Sequence, residues 1–459
     1  MEKNRYIVLT DINPSYLPWA EKDDIQSLIR LLLYTNEIDL EGIILCSSCF
    51  VKKGGGKRAL ALVRRILKAY GAVKPNLDCH SDGYPSMERL KKILCLGIPS
   101  YGRAPGDGFA GEKYMDNPGV RRIIEAVDDP DPRPVWIGLW GGANTLAQAI
   151  WQVGQTRSLL ELNAFLSKIR IHSISDQDNS AKWIREQYGN RLFYIVTPSD
   201  GTVSGAKDYF RAVWPGISAD RNRHGSEDGI RPGGFAGADT DMISAQWLKK
   251  YIRSKGPLGR QYPKTVFIME GDTPAFLGLI PNGLNVPERP DYGGWSGRYR
   301  QVVSPEGTPV WVGEADDVLG RDGVMHHSPQ ASLWRWRSGF QYDFAARMEW
   351  TLTDKFIQCS HAPVVRVNAP ERIQVRSGDT IVLDAGNSKS PDGVSLEFRW
   401  FWYPETDNVL EKTHLTGENT ARVSIGFFGT GVFHLVLEVK GARTYPLRRY
   451  KRFVFECGQ

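Results

Sequence analysis

Short apolar segments alternate with amphipathic ones along roughly the first 350 residues of the chain. The apolar segments lack the period-two alternation of a half-exposed strand. We therefore predict strands buried on both faces at residues 6–10, 41–46, 134–139, 169–174, 192–196 and 265–269. Helical periodicity predicts helices over residues 24–36, 57–70, 144–153 and 180–188. This alternation predicts an α/β domain with a mostly parallel sheet and helices on both faces.

The pattern changes after about Trp350. From residue 362 onwards helical periodicity is almost absent, and β-rich runs occupy residues 380–383, 396–402, 421–425, 432–439 and 450–455. Short strands at this spacing over about 100 residues are typical of an immunoglobulin-like sandwich. We therefore predict an α/β domain at residues 1–355 and an all-β, Ig-like sandwich at residues 362–459.

Composition and charge argue against two classes of partner. The chain has 459 residues and a net charge of +6, without a dense stripe of Lys and Arg interleaved with aromatic residues, so we expect no nucleic-acid ligand. No segment approaches the about 18–20 apolar residues that span a bilayer, so we expect no membrane insertion. No charged segment followed by an apolar stretch comes after Met1, which favours a cytoplasmic protein. Secretion with a signal peptide already removed is the alternative.

Acidic residues stand at the predicted junctions between strands and helices. Asp11 follows the first predicted strand, and Asp23 and Asp24 open the helix after it. Asp272 comes shortly after the strand predicted at residues 265–269. Carboxylates supply the oxygen ligands and the charge that Ca²⁺ requires, and parallel strands end at one edge of a sheet. We therefore expect Asp11, Asp24 and Asp272 to meet at one ion, near the backbone carbonyl of Trp140. The alternative is that Asp11 and Asp24 only favour a helix N-terminus.

The order and spacing of several segments resemble those of a known family. The segments are residues 10–12, 23–34, 39–44, 140–147, 270–274 and 291–295. They resemble the nucleoside hydrolases, which carry an Asp-rich N-terminal loop, a Gly-rich turn ending in Asn and a later loop Asp around one Ca²⁺. The resemblance is closer to the branch described as cellulose-binding proteins with a nucleoside-hydrolase-like domain. Residues 383–393 and 398–400 are similar to the PKD-like sandwich at the end of that branch.

The resemblance implies a calcium cofactor and a role for each matching residue. Asp11 looks like the residue that both binds calcium and activates the attacking water. Asp24 looks like the main calcium ligand, often bidentate, and Asp23 looks like the residue that holds a sugar hydroxyl. The backbone carbonyl of Trp140 and the carboxylate of Asp272 would complete the protein ligands.

Three features depart from the nucleoside-hydrolase pattern. Asp23 lies 12 residues after Asp11, whereas the hydrolases have a much tighter loop. Gly271 stands where some hydrolases have a leaving-group His. Asn144, which ends the Gly-rich turn, is expected to bind substrate, but no clear equivalent of the Asn/Glu pair that grips the ribose 5′-hydroxyl occurs. The best substitute is a loop that contains Asp176, Asp178 and Asn179. These departures argue against a nucleoside and leave a calcium-assisted glycosidase open.

A general acid would have to come from another part of the chain. His326 and Glu270 are the predicted catalytic candidates, with His327 beside the former, and a structural role is the alternative for each. Asp291 and Trp295 lie in an aromatic-rich segment and are predicted to bind substrate. Exposed aromatic rings commonly stack on sugars, and the alternative for Asp291 is that it caps a turn. Equally, these aromatic residues are expected to pack against the sandwich.

One Gly-rich run invites comparison with phosphate-binding loops. Lys52 and Lys53 precede three glycines, and Lys57 follows them. The run lacks the GxxxxGK[ST] pattern, which argues against a P-loop, and the chain contains no HExxH, GxSxG or GxGxxG motif.

The sequence therefore predicts a calcium-dependent hydrolase of a glycosidic bond, acting on a carbohydrate or glycoside. The alternative is a non-catalytic protein that binds cellulose or another glucan and keeps the metal site. A homo-oligomer mediated by the sandwich is a further open alternative. The general acid, the sugar and the stereochemical outcome stay open at this point.

Overall fold

The computed structural model describes residues 2–14, 21–102, 111–199, 216–217, 240–265, 268–406 and 411–459. Within them, all neighbours of the main eight-stranded sheet are parallel except β7 and β8, in the order β3-β2-β1-β4-β5-β6-β8-β7. The strands are β1 (Asn4–Thr10), β2 (Ile38–Leu45), β3 (Leu94–Leu96), β4 (Val135–Leu139), β5 (Ile169–Ile174), β6 (Phe193–Ser199), β7 (Arg298–Val303) and β8 (Pro309–Glu314). The predicted mostly parallel sheet is confirmed.

Helices cover both faces of this sheet. The described residues contain α1 (Lys22–Leu32), α2 (Lys57–Asp78), α3 (Met87–Lys92), α4 (Pro118–Asp128), α5 (Asn144–Thr156), α6 (Leu159–Ser167), α7 (Ser180–Tyr188), α8 (Ala245–Leu248), α9 (Gly256–Gly259), α10 (Pro274–Leu277), α11 (Pro329–Trp334) and α12 (Arg337–Trp350). Successive side chains of a strand point to opposite faces. Tyr6 and Val8 of β1 accordingly pack with α1, α2 and α12, whereas Ile7 and Leu9 pack with α4, α5 and α7.

The strand order reverses beside β1. The chain runs from β1 through β2 to β3 on one side and returns to β4 on the other. At such a switch point the loops diverge and leave a crevice outside the carboxyl ends of the strands. Asp11 and Trp140 are the first residues after β1 and β4, so the fold places both at this crevice.

The strand predicted at residues 265–269 is not one of the described strands. Met269 forms an isolated parallel bridge with Gly216, and residues 266–267 lie outside the described residues. The side chain of Gln26 in α1 hydrogen-bonds the backbone on either side of this segment. Its amide nitrogen donates to Pro263 O at 3.3 Å, and its amide oxygen accepts from the Glu270 N–H at 2.9 Å.

The C-terminal part is an all-β sandwich. A hairpin of β9 (Asp316–Leu319) and β10 (Met325–Ser328) precedes α11. After residue 362, the described residues form two sheets, with the strand orders β11-β17-β16-β13 and β12-β15-β14. Their strands are β11 (Arg372–Arg376), β12 (Thr380–Asp384), β13 (Leu396–Trp402), β14 (Thr413–Thr416), β15 (Arg422–Phe427), β16 (Gly431–Ala442) and β17 (Pro446–Gly458).

One hydrophobic cluster of the α/β part extends into the sandwich, which also has a core cluster of its own. The backbone N–H groups of Tyr450 and Arg452 in β17 donate to the carbonyls of Asn282 and Gly283, at 2.9 and 3.1 Å. Gly283 has a φ of 86°, and a Cβ atom there would collide with the Tyr450 carbonyl. The pairing of β17 with this loop therefore requires glycine.

A buried ion network crosses the same junction. Asp343 of α12 accepts hydrogen bonds from Arg347 and from Arg449 of β17, each at 2.8 Å. Burial alone would raise the pKa of Asp343, but the two guanidinium groups hold it well below its usual value. Ionised and paired, this carboxylate ties the last long helix of the α/β part to the sandwich.

Trp295 belongs to the cluster that extends into the sandwich. Its ring is fully buried and meets the rings of Phe340 and Tyr450 edge-on, with centroid distances of 6.4 and 6.5 Å. The prediction that Trp295 stacks on a sugar is wrong, because a ring without exposed surface cannot do so. Packing against the sandwich, the alternative, is what the structure shows.

No helix in the described residues combines the length and the apolar character that a bilayer crossing requires.

Candidate functional site

Five carboxylates converge at the crevice beside β1 and β4. Ligand oxygens of Asp11, Glu21 and Asp24 all lie within 4.8 Å of one another, and so do those of Asp23, Asp24 and Asp272. Asp24 belongs to both groups and is therefore the centre of the cluster. Asp11, Asp23, Asp24 and Asp272 are almost completely buried. Asp24 thus lies close to Asp11 in one group and to Asp272 in the other, and the binding of one ion by Asp11, Asp24 and Asp272 stays a prediction.

Two hydroxyl groups orient part of this acidic cluster. Ser48 Oγ donates to Oδ2 of Asp11, and Thr10 Oγ1 donates to Oδ1 of Asp24. Among the described residues, Oδ1 of Asp11 and Oδ2 of Asp272 are buried without a hydrogen-bond partner. A buried carboxylate oxygen without a hydrogen-bond partner lowers the stability of the fold. A cation bound by these two oxygens would offset that loss.

The electrostatics of the cluster also favour a cation. Burial raises the pKa of Asp11 to about 7, and the negative charge of Asp23 adds to this increase. The hydrogen bond from Ser48 lowers the pKa but does not offset the burial. Burial raises the pKa of Asp23 to about 6, although backbone N–H groups lower it. For Glu21, Asp24 and Asp272, burial and then repulsion by the other carboxylates raise the pKa well above its usual value. A bound cation would reverse these shifts.

The Asp23 carboxylate occupies the space beside Gly271. A Cβ atom on Gly271 would collide with Oδ2 of Asp23. The position at which some nucleoside hydrolases have a leaving-group His therefore has no room for a side chain here. A side chain at residue 271 would displace the Asp23 carboxylate from its present position.

The backbone at Trp140 lies beside the cluster, but its carbonyl has another partner. Gly141 packs against Asp11, and Nε2 of Gln177 donates to the Trp140 carbonyl at 2.5 Å. Oε1 of Gln177 is buried without a partner among the described residues. Calcium ligation by the Trp140 carbonyl stays a prediction, and it would require the Gln177 amide to release this oxygen.

The comparisons with known proteins agree with this fold. The model of the nucleoside hydrolase-like domain of the cellulose-binding protein Sde182 matches residues 5–299, which is more than half of the chain. The chain belongs to this family. The model of the C-terminal domain of the cellulose-binding protein Sde0182 matches residues 380–457. No curated protein matches the chain.

A solved structure supports the membership in the Sde182 family over the whole length. The chain is 32% identical to a nucleoside hydrolase-related protein from Saccharophagus degradans that is associated with carbohydrate metabolism; the match covers 100% of both chains, with a TM-score of 0.79. The PKD domain of the KIAA 1837 protein is 14% identical over 20% of this chain and 87% of its own, with a TM-score of 0.16. So low a score carries no argument, and the Ig-like type of the sandwich stays a prediction.

The structure of this Sde182-family chain contradicts the prediction that Glu270 is a general acid. Glu270 is fully buried and accepts hydrogen bonds from Arg30, Tyr262 and Thr273, at 3.0, 2.6 and 2.7 Å. Its backbone has a φ of 50°, which non-glycine residues rarely adopt. Glu270 anchors the loop that carries Asp272, and its carboxylate oxygens face Arg30 rather than a substrate.

Replacing Glu270 with Gln is expected to lower the free energy of unfolding by about 3–5 kcal/mol, because it leaves the Arg30 guanidinium buried without its counter-charge. Urea unfolding measures this loss. Glu288→Gln is the matched control: it breaks a half-exposed pair with Arg170 and should cost less than about 1 kcal/mol. A Glu270→Gln protein of unchanged stability that loses turnover would return Glu270 to a catalytic role.

His326 lies in the β9–β10 hairpin, away from the contacts of the acidic cluster. Its Nε2 pairs with both carboxylate oxygens of Asp322 at 3.1 Å, and its ring meets Trp334 edge-on. His327 pairs with Asp317 at 2.8 Å. Since these partners belong to the hairpin and to α11, a role of His326 as the general acid stays a prediction.

The loop after β5 frames the site. Asp176 is fully buried in a two-point ion pair with Arg185, at 2.9 and 2.7 Å, so the prediction that it binds substrate is wrong. Asp178 accepts the N–H groups of Ser180 and Asn144, at 2.9 and 3.1 Å, and thereby holds the starts of α7 and α5 together. Both carboxylates therefore stabilise the loop.

Three other predicted substrate contacts have different surroundings. The Asn144 side chain donates to Ser100 O at 2.6 Å and is buried below the turn. Asn179 is exposed, beside Gly102. Asp291 forms a surface ion pair with Arg289 at 2.6 Å, and no described contact links it to the cluster. Of these three, Asn179 alone offers an exposed side chain at this edge of the sheet.

Sequence reasoning missed Glu21, Ser48 and Gln177. The signal for Glu21 was its position in the run Glu21-Lys22-Asp23-Asp24, because an acid before a helix shares the edge with the acids of its first turn. Ser48 and Gln177 lie in loops after β2 and β5, and their sequence carries no pattern that points to Asp11 or Trp140.

Proposed function

We propose that this protein is a calcium-dependent hydrolase of a glycosidic bond. The observation that carries the proposal is the convergence of five carboxylates at the switch point of the sheet, with unpartnered oxygens on Asp11 and Asp272. Buried like charges without a counter-charge destabilise a fold, so their retention at a crevice indicates that a cation and a ligand belong there.

The residues present fit calcium. Asp11, Asp24 and Asp272 would hold the ion, with Glu21 close enough to contribute and the Trp140 carbonyl as a further oxygen. These are hard oxygen donors, and no Cys or His belongs to either carboxylate group among the described residues. When bound, calcium would supply the charge that offsets the carboxylates and acidifies a water molecule.

The chain's own residues then divide the chemical work. Ser48 fixes one oxygen of Asp11, so the other oxygen, Oδ1, is aimed and available to accept a proton from the attacking water. Asp23 is positioned against Gly271 and is suited to accept a hydrogen bond from a sugar hydroxyl. The remaining negative charge favours the oxocarbenium-like character of the transition state.

A second candidate function is carbohydrate binding without catalysis. One observation favours it: the Glu270 carboxylate pairs with the Arg30 guanidinium. Glu270 is therefore not available to donate a proton to the oxygen of a leaving group. The family to which the chain belongs is described as cellulose-binding. Both candidate functions use the same carboxylates, so metal binding alone does not separate them.

Cleavage of a substrate panel separates the two candidates. The full chain is incubated with nucleosides, furanosides and β-glucan oligosaccharides in calcium, after EDTA, and after EDTA followed by calcium. Hydrolysis that EDTA abolishes and calcium restores supports the hydrolase. Binding to any panel member with no cleavage under all three conditions supports the binding protein and overturns the hydrolase.

A further inference from the structure

A large groove opens beside the acidic cluster. Its volume is about 1200 Å³, and one wall is formed by Ile12, Asn13 and Pro14, the residues that directly follow Asp11. Further lining comes from the loop before α2 and the first turns of that helix, together with residues of α1 and the segment at Gln261 and Pro263. This volume exceeds the usual range of about 300–1,000 Å³ for a small-molecule site, which leaves room for an oligosaccharide.

The charged lining of the groove has one sign. Its charged residues are Lys22, Lys53, Lys57, Arg58 and Arg65, and no Asp or Glu is among its described lining residues. None of these five cations forms an ion pair or a side-chain hydrogen bond with another described residue. Elsewhere in the described structure, many Lys and Arg side chains are paired with a carboxylate, as Lys74 is with Asp78 in the same helix. Within the described part of the chain, the groove therefore offers cationic groups that have no carboxylate partner.

The glycines of the loop position the backbone on either side of which two of these lysines stand. A Cβ atom on Gly54 would collide with the Cys46 carbonyl, and Gly55 has a φ of 65° and lies against the Leu45 carbonyl. The loop therefore rests directly on the carboxyl end of β2, with Lys53 before it and Lys57 after it. The Gly-rich run without a P-loop pattern thus has a structural reason: it brings lysines to the same edge of the sheet as Asp11.

The start of α2 agrees with an anionic ligand. This helix has 22 residues, no side-chain cap and no acidic residue in its first turn. Lys57 and Arg58 stand there instead, although positive charge is unfavourable near the positive end of a helix dipole. An anion in the groove would offset both the dipole and the side-chain charges.

We propose that this groove binds an anionic group of the substrate: a carboxylate, sulfate or phosphate on a sugar residue next to the bond at the acidic cluster. The proposal rests on the proposed function, because it takes that cluster as the place of the reacting sugar. Guanidinium and ammonium groups bind all three anions by charge-assisted hydrogen bonds. The substrate class is therefore an anionic oligosaccharide or glycoside.

The test compares matched ligands on the full chain in calcium. The probes are cellotetraose, a β-1,4-linked glucuronate tetramer, and cellotetraose carrying a 6-O-sulfate or a 6-O-phosphate, each titrated by calorimetry. We expect at least one anionic probe to bind about tenfold more tightly than cellotetraose, with an advantage that falls as salt is added. The three anionic probes distinguish the carboxylate, sulfate and phosphate sources.

Charge reversal locates the effect. Lys53→Glu/Arg58→Glu should remove the advantage of the anionic probe and leave cellotetraose binding within about twofold. Arg64→Glu/Lys68→Glu is the matched control, because it makes the same charge change on exposed positions of α2 that do not line the groove. Equal affinity for neutral and anionic probes in the unmodified protein, absence of binding by every anionic probe, or equal losses in both double variants would overturn the proposal.

The outcomes also separate this proposal from the proposed function. Anionic probes that bind through the groove but are never cleaved would support the anion-binding groove and overturn the proposed hydrolase. Cleavage of neutral glucans, with no preference for an anionic probe and no effect of Lys53→Glu/Arg58→Glu, would leave the hydrolase standing and remove the groove.

Discussion

Replacing Asp11 with Asn is expected to lower kcat by about 10²–10⁴-fold on any substrate that the panel identifies. The amide keeps one oxygen, which can face the metal while its NH2 group lies at Ser48 Oγ, but it cannot accept a proton from water at neutral pH. The loss should therefore appear in kcat at calcium concentrations that saturate the variant. Initial rates at saturating substrate measure it.

Asp39→Asn is the matched control for Asp11→Asn. Asp39 lies near the start of β2, at the opposite edge of the sheet, where it pairs with Arg133 at 2.7 Å. The same charge change there should leave kcat unchanged. An Asp11→Asn protein with full turnover would remove Asp11 as the base, whatever its calcium affinity.

Calcium is expected to stabilise the protein, and more at pH 8 than at pH 5. Without calcium, the folded chain keeps protons on carboxylates such as Asp11, with a pKa of about 7, and Asp23, with a pKa of about 6. The unfolded chain has released these protons near pH 4, so cluster stability falls as the pH rises from about 4 to 7. Calcium displaces those protons, and at 100 times its Kd it would contribute about 2.7 kcal/mol.

The difference between melting curves with calcium and with EDTA is the quantity to measure. Burial lowers the pKa of His172 and of His434 to about 3, so these groups reduce stability as the pH falls and oppose the trend of the cluster. Their contribution cancels in the difference. Asp24→Asn should abolish most of the calcium-dependent gain, because Asp24 belongs to both carboxylate groups. A gain of equal size at pH 5 and pH 8, or one that Asp24→Asn keeps, would contradict the metal site.

Local patterns in the sequence predict much of the fold. Helix α7 has the predicted bounds, Ser180–Tyr188, and β13 has the predicted bounds, Leu396–Trp402. Both segments are short and clearly periodic or β-rich, and nothing distant overrides them. Helix α2 instead continues from the predicted end at Tyr70 to Asp78. The strand predicted at residues 265–269 is missing from the described strands, and the side chain of Gln26 in α1 bonds the backbone on either side of it, at Pro263 and Glu270.

The candidate site shows the same division. The meeting of Asp11 with Asp24 follows from topology, since a strand end and the start of the next helix share one edge of a parallel sheet. Asp272 joins Asp24 from a loop that no described strand directly precedes. The role of Glu270 depends on Arg30, which is 240 residues away, and no local pattern announces that contact. Trp295 meets Tyr450 of the sandwich in the same way. Long-range partners decide whether a polar or aromatic residue serves the substrate or the core.

The hydrogen bonds from β17 to the loop at Asn282 and Gly283 make the sandwich and the α/β part depend on each other. Because the sandwich packs against the α/β part through hydrophobic residues of both, we do not expect it to behave as an independent domain. Its loss would bare the rings of Trp295 and Trp336 and leave Asp343 without Arg449. The C-terminal part therefore helps to hold the α/β part in shape, and we expect its removal to destabilise the whole chain rather than to release an independent α/β domain.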